Sequence, residues 1–179
     1  MLKQLTANFP APERSEAAQY YFRYIDLVPA GDIRDVLSHQ LTETIELLSD
    51  VTAEESLHRY ASDKWSMREV VNHLSDTERS FVFRAFWFAR RLGSELPSFE
   101  QEVAMAASGA NEQSWESLVN EFRTVREATM SLFQLLPPSA WDARGVANGN
   151  EFTVRSLAYL TAGHVTHHLG ILRDKYLLA

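Results

Sequence analysis

The sequence predicts an all-α protein built as a four-helix bundle. Three observations carry that expectation. Apolar residues recur at spacings of three and four over long segments, no strand-like alternation persists, and caps and breakers divide the chain into four long helices with one long connection. With 179 residues and neither an internal repeat nor a low-complexity tract, the chain is expected to form one domain, residues 1–179, large enough to bury a core without disulfides.

Residues 15–27 predict a short helix with Tyr20, Tyr24 and Leu27 on one side, and Pro29 and Gly31 separate it from the next element. The first long helix begins at Asp32, a good N-cap, and runs to residue 49 with Leu37, Leu41, Ile45 and Leu48 as its stripe. The second has the clearest start: Ser66 followed three residues later by Glu69 is a capping box, in which each side chain accepts from an otherwise orphan backbone N–H. Gly93 is its expected stop. Residues 94–113 mix Pro, Gly, Ser and charge, which predicts a long connection between the second and third helices, carrying a short helix around residues 101–107. A third helix is expected over residues 114–136, with Leu118, Phe122, Val125, Thr129, Leu132 and Leu136 inward and Pro137-Pro138 ending it. A loop with Gly145 and Asn148-Gly149-Asn150 follows, and Thr153 caps a fourth helix that continues to about Tyr176. Four long helices with such connections are what a four-helix bundle requires.

Composition narrows the function. The 17 Lys and Arg against 24 Asp and Glu give a net charge of −7, which repels phosphate backbones and anionic lipid, so neither nucleic acid nor a membrane is an expected partner. No apolar stretch in the first fifteen residues is long enough for a signal-peptide core. The most apolar window, residues 80–92, is broken by Arg84 and falls short of a membrane span. A cytoplasmic protein is the expectation. The absence of cysteine removes disulfides, thiolate nucleophiles and iron–sulfur clusters, so any metal must use His, Asp or Glu.

On a wheel of the fourth helix at 100° per residue, His164 and His168 fall within about 40° of each other, in the middle of the stripe made by Leu157, Leu160 and Ile171. Two imidazoles one turn apart can converge on one cation from a single helix. His73, inward on the second helix, is the candidate third ligand. Three neutral imidazoles leave a position open to water or substrate, as catalytic sites do, and zinc, nickel, cobalt or iron would all accept these nitrogens.

Asp76 follows His73 by nearly one turn and Glu78 lies two residues on; either can orient an imidazole or act as general base, and Asp76 is nearer in angle. His167 lies about 60° to the other side of His164 and is expected to flank the site without ligating, supporting a ligand or contacting substrate, and it counts with Asp76 as a catalytic candidate. The sequence HVTHH lacks the glutamate of H-E-x-x-H, which disfavours a zincin protease. His39 and His58 are expected at the surface or in packing, and Asp26, Glu43 and Glu46 on solvated helix faces. Arg84 shares the face of His73; it is expected to pair with Glu100 or Glu102 in preference to binding an anionic substrate group. The aromatic cluster Phe81, Phe83, Phe86, Trp87 and Phe88 spreads over more than one face, and two readings stand equal: cover by residues 94–113, or a dimer interface.

Three stretches together resemble the DinB-like superfamily, in its damage-inducible and bacillithiol-transferase branch: residues 60–91 with KWS before a helix and HLSDTE within it, residues 117–149, and the terminal GHVTHH. The resemblance extends from about residue 24 to residue 176. It implies an up-down-down-up four-helix bundle, commonly a homodimer, with a divalent metal held by His73 of HLSDTE and by His164 and His168 of GHVTHH. It also implies a metal-dependent transferase or isomerase that uses a low-molecular-weight thiol such as bacillithiol, mycothiol or glutathione, and the leading expectation from the three-histidine site is an enzyme that activates such a thiol, or water, for transfer to or hydrolysis of a small organic electrophile. Physically, a divalent cation lowers the pKa of a bound thiol, which a chain without cysteine cannot itself supply. The competing expectations are a metal-sequestering, stress-associated protein without catalysis, and a metal-free dimeric interaction module.

Overall fold

A computed structural model describes residues 9–177. Four long helices form the bundle: α2 (Ile33–Ser49), α3 (Met67–Ala89), α5 (Trp115–Leu135) and α6 (Val154–Ile171). Two short helices accompany them, α1 (Phe22–Ile25) and α4 (Gln101–Ala107), and a hairpin of β1 (Arg144–Ala147) and β2 (Asn150–Thr153) leads into α6. A π-helical turn, Leu172–Leu177, carries α6 onward.

Each bundle helix starts where a side chain replaces a missing helical acceptor. Asp32 accepts from the Arg34 N–H, Ser66 from Glu69, Ser114 from Ser117 and Thr153 from Ser156. At α3 and α6 the bond is reciprocated: the Glu69 carboxylate and the Ser156 hydroxyl accept from the backbone N–H groups of Ser66 and Thr153. The third helix stops one residue earlier than expected, ahead of Pro137-Pro138. The second stops at Ala89, short of Gly93, because Arg91 turns the chain through the left-handed region at φ 56°.

The direction of the helices follows from which residues share a core. One cluster joins Leu48 near the end of α2 to Met67, Val70 and Leu74 at the start of α3, Trp115 and Phe122 at the start of α5, and Val165 and Leu169 late in α6. A second joins Ile33 and Leu37 to Ala85 and Phe88, to Phe133, and to Val154 through Leu160. Thus α3 and α5 run in one direction and α2 and α6 in the other, an up-down-down-up arrangement. Parallel neighbours cannot be joined by a short turn, which is why residues 90–114 run back along the bundle. That connection is pinned on its way by Leu96, whose N–H donates to Val146 O at 3.0 Å and whose carbonyl accepts from the Asn148 N–H at 3.0 Å.

Two expectations need correction. Residues 144–153 are not a plain loop: Asn148 and Gly149, at φ 50° and 68°, turn a four-residue antiparallel hairpin. The helix expected over residues 15–27 shrinks to one turn of 3₁₀ helix, Gln19–Tyr21, followed by α1. Its buried residues are Phe22 and Ile25, whereas Tyr20 and Leu27 are exposed. The aromatic cluster on α3 divides: Phe88 is buried, Trp87 donates from Nε1 to Ser94 O at 3.2 Å, and Phe83 and Phe86 stay exposed. Among the described residues no helix is long and apolar enough to cross a membrane. Of the first fifteen residues, 1–8 lie outside the described range.

Candidate metal centre

The three imidazoles selected from the sequence meet between α3 and α6. Their ligand nitrogens all lie within 4.8 Å of one another. His73 Nε2 and His164 Nε2 are 3.1 Å apart, close to the roughly 3.3 Å that separates two nitrogens 2.0–2.1 Å from a tetrahedral ion. His168 completes the group, its ring centroid 4.6 Å from that of His164 and 5.1 Å from that of His73.

Burial dictates the protonation state. His73 is 4% and His164 6% exposed. Desolvation pushes the His73 imidazole down to about 4 and that of His168 to about 3, where the neighbouring rings of His73 and His167 add to the effect. Desolvation, then the neighbouring rings His168, His73 and His167, holds His164 well below the ordinary value. All three are neutral at pH 7, the form in which imidazole ligates. Among the described residues the ring nitrogens of His168 have no hydrogen-bond partner. A borderline, all-nitrogen donor set that is preformed and neutral fits zinc, nickel, cobalt or iron.

The neighbours are those that helix geometry places there. Thr77, one turn after His73, brings its hydroxyl to 3.3 Å from His73 Nδ1. Trp65, just before the cap of α3, lies over the His73 ring at 4.8 Å. Tyr24 of α1 and Phe81 of α3 stand edge-on to His164, at 5.7 and 5.9 Å. This close approach of α1 requires Gly163, because a Cβ there would lie 2.1 Å from the Tyr24 carbonyl oxygen.

Two cavities open onto the centre from opposite partners. One, of about 350 Å³, has His164, Thr77, Tyr24 and Arg84 in its wall. The other, of about 240 Å³, has His168, Trp65, Tyr60 and Tyr176.

The remaining candidates are redistributed. Asp76 does not orient His73: its carboxylate accepts from Asn72 Nδ2 at 2.7 Å and pairs with Arg79, its neighbours at four and three residues on the same helix face. Glu78 turns away from the centre altogether. It is 2% exposed and forms a two-pronged bond with buried Arg126 of α5, Nε to Oε1 and Nη2 to Oε2, both at 2.8 Å. His167 is exposed and flanks the centre as its angle implied, 5.2 Å from the Tyr24 ring and 5.1 Å from the His168 ring. Arg84 forms no pair with Glu100 or Glu102; it donates instead from Nη2 to Pro97 O at 3.1 Å. His39 and His58 are exposed, as are Asp26, Glu43 and Glu46.

In the sequence Thr77 falls on the face of His73 without a role of its own, and Trp65 and Tyr24 are not expected at the centre. Thr77 carried a signal, its spacing of four from His73. The other two come from segments whose spacing says nothing of their neighbours.

A sequence model of the DinB superfamily matches residues 37–172. No curated protein matches the chain. Among solved structures, YfiT from Bacillus subtilis, described as a probable metal-dependent hydrolase with an unusual four-helix bundle topology, superposes with a TM-score of 0.60 at 14% identity, over 90% of this chain and 91% of that one. Similarity at that identity is a similarity of fold.

Proposed function

Because the chain belongs to the DinB superfamily, we propose that it is a metal-dependent enzyme in which His73, His164 and His168 hold one divalent cation and a small organic electrophile is attacked by water or by a low-molecular-weight thiol. The observation that carries this reading is the convergence of three neutral imidazoles, from two helices, within 4.8 Å. When bound, a divalent cation supplies Lewis-acid charge that favours loss of a proton from the attacking group. The chain's own residues do the rest. Two buried rings and one half-buried ring fix the donor directions, and Thr77 restrains His73. Trp65 shields one side of His73 from solvent, while Tyr24 and Phe81 wall His164. His167, exposed beside His168 and lowered by its partial burial and by Arg23, is neutral at pH 7 and able to accept a proton at the rim. Asp76, occupied by Asn72 and Arg79, is given no step. The cavities on the His164 and His168 sides support separate places for electrophile and nucleophile, which favours a two-substrate transfer alongside hydrolysis.

Elemental analysis of protein purified without an affinity tag tests the centre, with one equivalent of metal expected and less than a tenth in His164→Ala. Turnover of a chromogenic electrophile by water and by a panel of thiols then separates the classes. Stoichiometric metal with no rate above the metal-free control would identify a sequestering protein instead.

A further inference from the structure

Arg84 is a buried cation without a carboxylate. It is 6% exposed, on α3, in the wall of the larger cavity with His164. Its hydrogen bond to Pro97 O uses one N–H of Nη2, and the side chain lines the cavity. Among the described residues no Asp or Glu pairs with it, and none of the residues lining that cavity is acidic. Tyr21, the ionisable group whose interaction with Arg84 is felt, is pushed up by burial and stays neutral. Burial also pushes the guanidinium down, yet an arginine stays charged at neutral pH. A largely buried positive charge with no counter-charge favours a ligand that supplies one.

The placement is specific. Eleven residues separate Arg84 from His73, so the two point within about 20° of the same direction, roughly 16 Å apart along α3. A helical side chain leans toward the N-terminus, which carries the guanidinium back toward the imidazoles. We propose that Arg84 is the anion-recognition residue of this cavity and that the substrate is a small organic acid, its carboxylate held by Arg84 and its reactive bond turned toward His164. One arginine balances a monoanion, and its planar fork matches a carboxylate edge. Tyr24 and Phe81 supply the apolar wall between the two ends. The proposal rests on the three imidazoles being the reaction centre, so its test is arranged to stand apart from theirs.

The probes are benzoate and its neutral counterpart benzamide, titrated into the full chain, metal-free and zinc-loaded, and followed by tryptophan fluorescence and ligand-observed NMR. Wild type is expected to bind benzoate roughly tenfold to a hundredfold more tightly than benzamide in both forms. Arg84→Gln abolishes that preference, and Arg84→Lys keeps part of it. Equal binding of the two probes by wild type overturns the proposal, as does a preference that survives in Arg84→Gln. A preference seen only in the zinc-loaded form also overturns it, because the ion and not Arg84 would then be holding the carboxylate. Should Arg84→Gln fail to fold by circular dichroism, the wild-type comparison and Arg84→Lys still decide. Zinc stoichiometry, measured separately, shows whether the centre fails independently of the subsite.

Discussion

Gly163 and Tyr24 meet backbone to backbone: a Cβ on Gly163 would lie 2.1 Å from the Tyr24 carbonyl oxygen and 2.5 Å from its carbonyl carbon. The residue before His164 is therefore what lets α1 lie on α6 with the Tyr24 ring against the imidazole. Gly163→Ala is expected to destabilise by about 1–3 kcal/mol, since the obstruction is main chain and cannot swing aside. It should also loosen the His164 side of the centre. Thermal unfolding with and without added zinc checks both: a lower midpoint and a smaller zinc-induced rise. An unchanged midpoint would show that α1 does not press on α6 in solution.

Acid should release the segment ahead of α1. Glu16, 3% exposed, accepts from the Arg155 guanidinium at 2.7 and 3.0 Å, from Thr153 Oγ1 at 2.8 Å and from the Glu13 N–H at 2.8 Å. Burial pushes its carboxyl up, but these bonds outweigh burial and hold it below the ordinary value of 4.5. A depressed folded-state pKa contributes stability that is complete above the unfolded value and is lost as pH falls through the folded one. Glu16→Gln should thus cost roughly 1–3 kcal/mol at pH 7, and the gap to wild type should close below about pH 4.5. Urea unfolding of both proteins from pH 7 to pH 3 measures it; a gap constant across that range would exclude Glu16 as the titrating group.

How far these features could be read in advance depends on how local their cause is. Ser66 with Glu69, and Thr153, mark helix starts within one turn, and those starts stand. His164 and His168 share a face of one helix, so spacing alone paired them. The hairpin carried its signal in Asn148-Gly149, but strands of four residues are too short to show alternation. Tyr24 and Phe22 illustrate the opposite case: in a single turn of helix no periodicity exists to choose the inward side, and tertiary contact makes the choice. Arg84 meets Pro97 O in place of Glu100 or Glu102, and Glu78, the alternative to Asp76, meets Arg126, because the face of α3 is legible in the sequence and the partner across it is not.

Among the described residues Thr77 is the one hydroxyl positioned to restrain the His73 ring, at 3.3 Å from Nδ1. Partners of this kind fix ring orientation and typically change metal affinity by 10–100-fold. Thr77→Val keeps the shape and removes the hydroxyl; it should weaken zinc binding by at least about tenfold, with Thr77→Ser close to wild type. Competition against a chromogenic chelator reads the constant directly. Equal affinities for the valine and threonine forms would assign the ring's orientation to Trp65 packing alone.

Arg126 ties all four bundle helices together from a position with no contact to solvent. Besides Glu78 on α3, it donates to Gln40 Oε1 at 2.8 Å on α2, and Gln40 in turn donates to Ala162 O at 2.9 Å and Thr166 Oγ1 at 2.8 Å on α6. On the wheel it sits inside the stripe of Phe122, Val125 and Thr129, a charged residue where apolar ones are expected. Removing one member strands the other charge in the core, so Glu78→Leu or Arg126→Met alone should each cost about 3–5 kcal/mol. Removing both leaves no orphan charge, although Gln40 loses a donor. The double variant is therefore expected to be less destabilised than either single one. A double-mutant cycle by denaturant unfolding tests this; additive losses would mean that the two side chains act independently of each other.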